Sequence, residues 1–242
     1  MILLLTQKRC HHCQSINIVK NGKDYKGDQK FYCNDCYSYG TLDAGRYSQE
    51  RKDEIIRSYF ERSSMRGVER TFGVARQTLA HWLRKLAEQL PDLSKTLASR
   101  VSDDVLELDE LWSFVLKKVN KRWVWIALCR RTRQVIAYYI GDRSEASCRK
   151  LWEQIPKAYR TCTTFSDFWE AYRKVFTTGR HHSVGKETGE TAHVERWNNT
   201  LRQRVGRFVR KSLSFSKSDK FHEAVLLIFL NSYNLEHLSV KM

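Results

Sequence analysis

Two Cys-x-x-Cys turns, Cys10–Cys13 and Cys33–Cys36, separated by residues 14–32, constrain the front of this chain more than any other feature. Each turn presents two thiolates, and two such turns close a tetrahedral Zn²⁺ site at this spacing. The intervening residues read as short strands, Ile16–Val19 and Lys30–Tyr32, around the turn Asn21-Gly22 and a loop at Gly27. His11 and His12 compete as ligands, but four thiolates already complete the shell. So short a piece cannot bury an adequate core, so the metal must hold it together. The expectation is a zinc ribbon over residues 1–45. Cys129, Cys148 and Cys162 are isolated and read as core. The odd total of seven cysteines argues for a reducing compartment. Met1–Leu5 is apolar but too short for a signal sequence, and Lys8 and Arg9 follow it.

Residues 46–90 read as helices. Ser48 is a candidate N-cap, and Ile55, Ile56, Tyr59 and Phe60 recur at helical spacing. A short helix over Met65–Phe72 is broken by Gly73, and a third helix is expected over Arg76–Gln89. It would bury Leu79, Trp82, Leu83 and Leu86 and expose Arg76, Gln77, His81, Arg84 and Lys85. A short helix, a Gly-containing turn and a basic second helix match a helix-turn-helix that reads DNA. Residues 91–104 read as a linker.

From Val105 the pattern changes. Val105–Val119, Trp123–Leu128 and Gln134–Ile140 read as an antiparallel meander. A helix over Ser144–Gln154, a strand over Arg160–Ser166, a helix over Phe168–Val175 and a helix from Thr191 follow. That order is the order of a ribonuclease-H-like α/β domain with a mixed sheet, spanning 105–242 and ending in a basic, then helical, segment. Asp109 falls on its first strand, Asp167 just past the fourth, and Glu195 on the late helix.

The chain carries a formal net charge of +16. That charge points to a polyanionic partner, most simply DNA. Isolated acids within it are explained by a bound divalent cation. Mg²⁺ takes oxygen ligands from one or two carboxylates plus substrate phosphate, and a pair of ions about 3.5–4 Å apart clamps a phosphoryl transfer. Asp109, Asp167 and Glu195 are therefore the candidate catalytic ligands for Mg²⁺ or Mn²⁺. Glu107, Glu110, Asp142, Glu187 and Glu190 are rivals; strand alternation places Glu107 and Asp109 on one face and Glu110 on the other. Helical spacing aligns Asn198, Asn199 and Arg202 with Glu195. Arg204, Arg207, Arg210, Lys211, Lys217 and Lys220 read as a basic stripe for the DNA backbone. His181 and His182 read either as helping residues near the active site or as part of a loop.

The residues also carry a resemblance. His193–Gln203 resembles the E-R-x-N-x-x-L-R helix of transposases of the insertion sequence one family, and Arg210–Ser218 is similar to that family's R-K-S-L-S-F-S-K-S stretch. Leu108-Asp109-Glu110-Leu111-Trp112 resembles its first-acid motif, and Asp167-Phe168-Trp169 its second. The front module fits as well. The resemblance implies a DDE transposase that cuts and joins double-stranded DNA at terminal inverted repeats and target sites. It further implies a phosphate-gripping role for Arg202, a fused product made by frameshifting, and a front module that represses when alone. A homodimer or higher oligomer is expected from the need to cut two ends. So is a cytoplasmic, nucleoid-associated location with no membrane partner. The rival functions are a DNA-binding regulator with an inactive back half, and a nuclease that does not join.

Overall fold

The Cys-x-x-Cys turns bracket a small antiparallel sheet: β1 (Ile18–Lys23), β2 (Gln29–Cys33) and β3 (Tyr39–Thr41), in the order β1-β2-β3. The computed structural model describes residues 8–10, 12–25, 27–41, 47–177 and 179–239. Met1–Leu5, His11 and the expected boundary at residue 45 fall outside them. Asn21-Gly22, expected as a turn, lies inside β1. There Gly22 takes φ +67° and the register shifts between Lys20 and Lys23, a bulge that glycine accommodates without Cβ strain. At the loop expected around Gly27, Asp24 N–H donates to Asp28 O and Gly27 N–H donates to Asp24 O.

This sheet belongs to a unit spanning Met1–Glu54, and a second unit spans Ile55–Met242. Helix α1 (Gln49–Tyr59) starts where Ser48 Oγ accepts the Arg51 N–H at 3.2 Å. Helix α2 (Met65–Phe72) is capped by Ser64 Oγ, which accepts Gly67 N–H at 2.9 Å. Gly73, at φ +69°, ends it in the left-handed conformation that glycine adopts freely. Helix α3 (Arg76–Gln89) follows at once, burying Leu79 and Leu83 and leaving Trp82 and Leu86 half-buried. These spans are the expected ones. Residues 91–104, expected as a linker, are fastened down. Leu93–Thr96 forms a 3-10 turn, Gln134 Nε2 donates to Thr96 O, and Ala98 N–H donates to Gln134 Oε1.

The large sheet comprises β4 (Val105–Phe114), β5 (Lys121–Cys129), β6 (Val135–Gly141), β7 (Thr163–Ser166) and β8 (His181–Ser183), in the order β6-β5-β4-β7-β8. The first three pair antiparallel, while β7 pairs parallel to both β4 and β8. The domain thus holds a mixed sheet with helices, consistent with a ribonuclease-H-like arrangement. Strand alternation divides β4 between two faces. Leu106 and Leu108 enter an apolar core with Trp125 of β5, Leu151 of helix α4 (Glu145–Gln154) and Tyr172 of helix α5 (Glu170–Val175). Glu107 and Asp109 face helix α6 (Ala192–Arg204). Helix α7 (Asp219–Ser239) lies on that same side, where His222 Nε2 meets Ser113 Oγ at 3.0 Å and Asn234 Oδ1 accepts Val135 N–H at 2.9 Å. Among the described residues, no helix is long and apolar enough to cross a membrane.

Strand β8 was not expected. It is three residues long, too short for a readable alternation, and forms because parallel pairing with β7 supplies its hydrogen bonds. The expected strand over Val105–Val119 stops at Phe114, because Leu116 takes φ +64° and Asn120 N–H closes a turn onto Lys117 O.

Candidate functional site

In the front unit the cysteine pairs interleave. Cys10 Sγ lies 3.6 Å from Cys36 Sγ, Cys13 Sγ lies 3.6 Å from Cys33 Sγ, and all four sulfurs fall within 4.8 Å of one another. A disulfide needs about 2.05 Å. Four thiolates around one Zn²⁺ at about 2.3 Å sit roughly 3.8 Å apart, so the donor set and spacing fit zinc. Ser38 Oγ lies 3.0 Å from Cys36 Sγ and 3.4 Å from Cys10 Sγ, and this hydroxyl is the first cause holding both thiols below their ordinary range. Thiols so biased give up protons readily to a metal.

In the second unit, Asp109, Asp167 and Glu195 line one cavity of about 430 Å³. Each comes from a different element. Asp109 lies on β4, next to the parallel partner β7, and Asp167 lies one residue past the end of β7. Glu195 lies in the first turn of α6, where Thr191 Oγ1 donates to its Oε1 at 3.3 Å. The Trp169 N–H donates to Asp167 Oδ1 at 2.9 Å, which orients that carboxylate at the start of α5. The three acids share the cavity but are not gathered as tightly as the thiolates. Among the described residues, only the four cysteines form a group of three or more Cys, His, Asp or Glu donors within 4.8 Å.

The Asp109 carboxyl is strongly perturbed. Burial, then the charges of Glu110, Asp167 and Glu195, push its carboxyl up to about 7. Its Oδ2 accepts from Asn198 Nδ2 at 2.7 Å, and the buried Asn198 Oδ1 has no hydrogen-bond partner. An acid crowded by like charge beside an orphaned acceptor leaves negative potential unbalanced. Oxygen donors of this kind suit Mg²⁺ or Mn²⁺.

The rival acids have other employment. Glu107 is fully buried and accepts the backbone N–H groups of His193 and Val194 at 2.9 and 3.0 Å, capping α6. Arg130 Nε reaches it at 2.7 Å. Asp142 accepts from Ser147 Oγ at 2.6 Å, and Glu190 pairs with Arg130 at 2.7 Å. Glu187 is exposed. Glu110 lines the cavity but is held by Tyr172 OH at 2.8 Å and by Arg143.

The expected DNA contacts sort differently. Arg76, Gln77, His81, Arg84 and Lys85 are all exposed. Arg76 Nε pairs with Glu69 at 3.0 Å, and Arg84 lies over the Phe221 ring at 5.2 Å. Asn198 is buried and committed to Asp109, and it lines the cavity together with Asn199, Arg202 and Arg210. Arg202 is half-buried, its Nε lacks a partner, and burial followed by Arg210 lowers its pKa. Lys211 is exposed.

Two members of the expected stripe serve the fold instead. Arg207 is buried and donates to Tyr59 OH at 2.7 Å and Ser216 Oγ at 3.0 Å, and Arg204 pairs with Glu236 at 3.0 Å. Tyr59 and Phe221, distant in sequence, pack on Arg207, which a run of charges does not reveal. His181 is also structural. Its Nδ1 lies 2.9 Å from Thr164 Oγ1, and burial, then His182, lowers it to about 4. Sequence reasoning missed Arg143 and Lys186 as cavity cations; no spacing connects either to the acids. A second cavity of about 470 Å³ opens on the other side of α6 among Arg133, Arg196, Trp197 and Tyr233. Its one carboxylate, Glu236, is tied to Arg204.

The comparisons with known proteins follow this division of the chain. A family model described as IS1 transposase matches residues 104–236, which hold the whole sheet and all three acids. The chain is 36% identical over 129 residues to the insertion element iso-IS1n protein InsB of Shigella dysenteriae, covering 53% of this chain and 95% of that protein. It is 36% identical over 125 residues to the insertion element IS1 protein InsB of Shigella flexneri, covering 52% and 92%. Against the insertion element IS1 1 protein InsB of Escherichia coli K12 it is 33% identical over 152 residues, covering 62% and 86%. With that match spanning more than half its length, the chain belongs to the IS1 transposase family.

Proposed function

We propose that this insertion-sequence transposase cuts and joins DNA by DDE chemistry, with Asp109, Asp167 and Glu195 as the carboxylates that hold Mg²⁺ or Mn²⁺. The observation that carries the reading is their convergence on one cavity from a strand, a strand end and a helix, with the Asp109 carboxyl raised to about 7 by its neighbours. Divalent ions bound there would supply charge stabilisation at the phosphate and a deprotonated oxygen nucleophile. Asn198 fixes the Asp109 carboxylate, and the Trp169 N–H fixes that of Asp167. Arg202, Arg210 and Lys186 bring positive charge to the same cavity, where a DNA phosphate needs it.

The exposed face of α3, carrying Arg76, Gln77, His81 and Lys85, supports a helix-turn-helix reader, with Gly73 making the turn from α2. The four thiolates support a structural zinc ribbon in the front unit. Terminal inverted repeats and target DNA are the substrates in this reading, and two ends to be cut call for at least a homodimer.

The test is a cleavage and strand-transfer assay with purified full-length protein, Mg²⁺ or Mn²⁺, and DNA carrying the element's ends, both intact and pre-cut. Asp109→Asn, Asp167→Asn and Glu195→Gln are each expected to abolish both steps while end binding persists. Full activity in any of these variants refutes the assignment. Hydrolysis without joining identifies a nuclease, and binding without either step identifies a regulator.

A further inference from the structure

Arg143 follows β6 and precedes α4, and it lines the same cavity as the three acids. Its guanidinium is held on several sides. It lies 4.0 Å from the Trp169 ring centroid and 4.7 Å from that of Trp123. Its Nε donates to Glu110 Oε1 at 2.8 Å, and Nη2 donates to the same oxygen. Glu110 is itself almost sealed, its side chain 2% exposed, and its other oxygen accepts Tyr172 OH at 2.8 Å.

Such a clamp does more than neutralise Glu110. Arginine gives up much rotamer freedom when it binds a phosphate; here ring stacking and the ion pair have already removed that freedom. Among the described residues Nη1 has no hydrogen-bond or ion-pair partner, and the side chain keeps 36% of its surface exposed. One donor edge is therefore fixed and unspent at a cavity that must receive a polyanion. The same Trp169 that stacks on Arg143 holds Asp167 through its backbone N–H, so cation and acid share one support. Arg202 comes from α6, on the Asp109 face of the sheet, whereas Arg143 is tied to Glu110 and Tyr172 on the opposite face. A phosphate in the cavity would meet arginine from both sides.

We propose that Arg143 is a catalytic residue: its free guanidinium edge donates to a non-bridging oxygen of a DNA phosphate at or next to the cut, while Glu110 acts as its positioning residue. The proposal rests on the assignment of this cavity as the active site. No bond is made or broken by Arg143; it contributes a preorganised charged donor, and losing one such donor typically slows catalysis by about 10²–10³-fold.

The experiment measures single-turnover cleavage by full-length wild-type, Arg143→Ala, Arg143→Lys and Asp109→Asn proteins. The element ends carry a neutral methylphosphonate at one phosphate at a time, across the cut and its near neighbours. Arg143→Ala is expected to cut unmodified ends about 100-fold slower at a temperature where it stays folded, with a lowered melting point because the buried Glu110 loses its ion pair. At one position the methylphosphonate should slow the wild type by a similar factor and cost Arg143→Ala nothing further. Arg143→Lys, which keeps the charge without the fork, should retain part of that position-specific sensitivity. The proposal is overturned if every neutral phosphate slows the variants as much as it slows the wild type, since a purely structural Arg143 predicts that pattern. It is also overturned if Arg143→Ala cuts at the wild-type rate. Wild-type cleavage by Asp109→Asn would instead refute the assignment of the cavity, separating the two failures.

Discussion

Asn198 Nδ2 lies 2.7 Å from Asp109 Oδ2 and so joins helix α6, which carries Glu195, to the strand that carries Asp109. One amide thereby sets the distance between two of the three candidate metal ligands. Asn198→Ala should free the Asp109 carboxylate to turn. Loss of a residue that orients a metal ligand typically costs about 10–100-fold in metal affinity or activity. Mn²⁺ titration and cleavage rates at saturating DNA should both show the loss, and unchanged Mn²⁺ affinity would count against this role.

Glu107 does for the start of α6 what Asn198 does one turn and more along. It accepts two backbone N–H groups there and pairs with Arg130. Glu107→Ala leaves those two backbone donors without an acceptor and Arg130 with Glu190 alone, and should cost about 3 kcal/mol in urea unfolding. A loss below about 1 kcal/mol would mean that water replaces the carboxylate.

The pH dependence follows from Asp109. Its folded value, about 7, lies above its ordinary 3.8, so the native state holds a proton that the unfolded chain releases. The stability from this group is complete below its unfolded value and is lost as pH rises through about 7. Metal-free wild type should therefore lose stability between about pH 4 and 7, and Asp109→Asn should flatten that slope. Millimolar Mg²⁺ should also recover stability at neutral pH, because it binds the charged form. Parallel urea titrations of both proteins at several pH values measure the difference.

The front unit should depend on its metal. Chelation or Cys33→Ser is expected to unfold that unit and abolish specific end binding, with about one zinc lost per chain. Metal analysis and an electrophoretic shift assay check both outcomes together.

Two basic residues close in sequence should behave oppositely. Arg207→Ala removes buried charged hydrogen bonds to Tyr59 and Ser216 and should cost about 3 kcal/mol in stability. Lys211→Ala should leave stability unchanged and lower the salt slope of DNA binding by about 1.

Much of the fold was legible because its signals are local. Gly73 and the spacing of Leu79 and Leu83 mark the end of α2 and the body of α3, since a helix stop and helical periodicity act within one or two turns. The thiolate pairs declared their site through spacing alone. What escaped depends on partners far along the chain. Strand β8 exists because β7 offers it a parallel edge, and the bulge at Gly22 comes from pairing with β2. Arg207 reads as one more surface cation until Tyr59, Ser216 and Phe221 enclose it.

The amino-acid sequence by itself determined the four-thiolate cluster, the order of strands and helices apart from β8, and which element carries each of Asp109, Asp167 and Glu195. These follow from residue type and short-range period. Only the tertiary structure decided that the three acids open onto one cavity, that Glu107 caps a helix while Asp109 faces the cavity, and that Arg143 is clamped between two tryptophans. Desolvation and Coulomb energy depend on distance through space, which residue spacing along the chain does not encode.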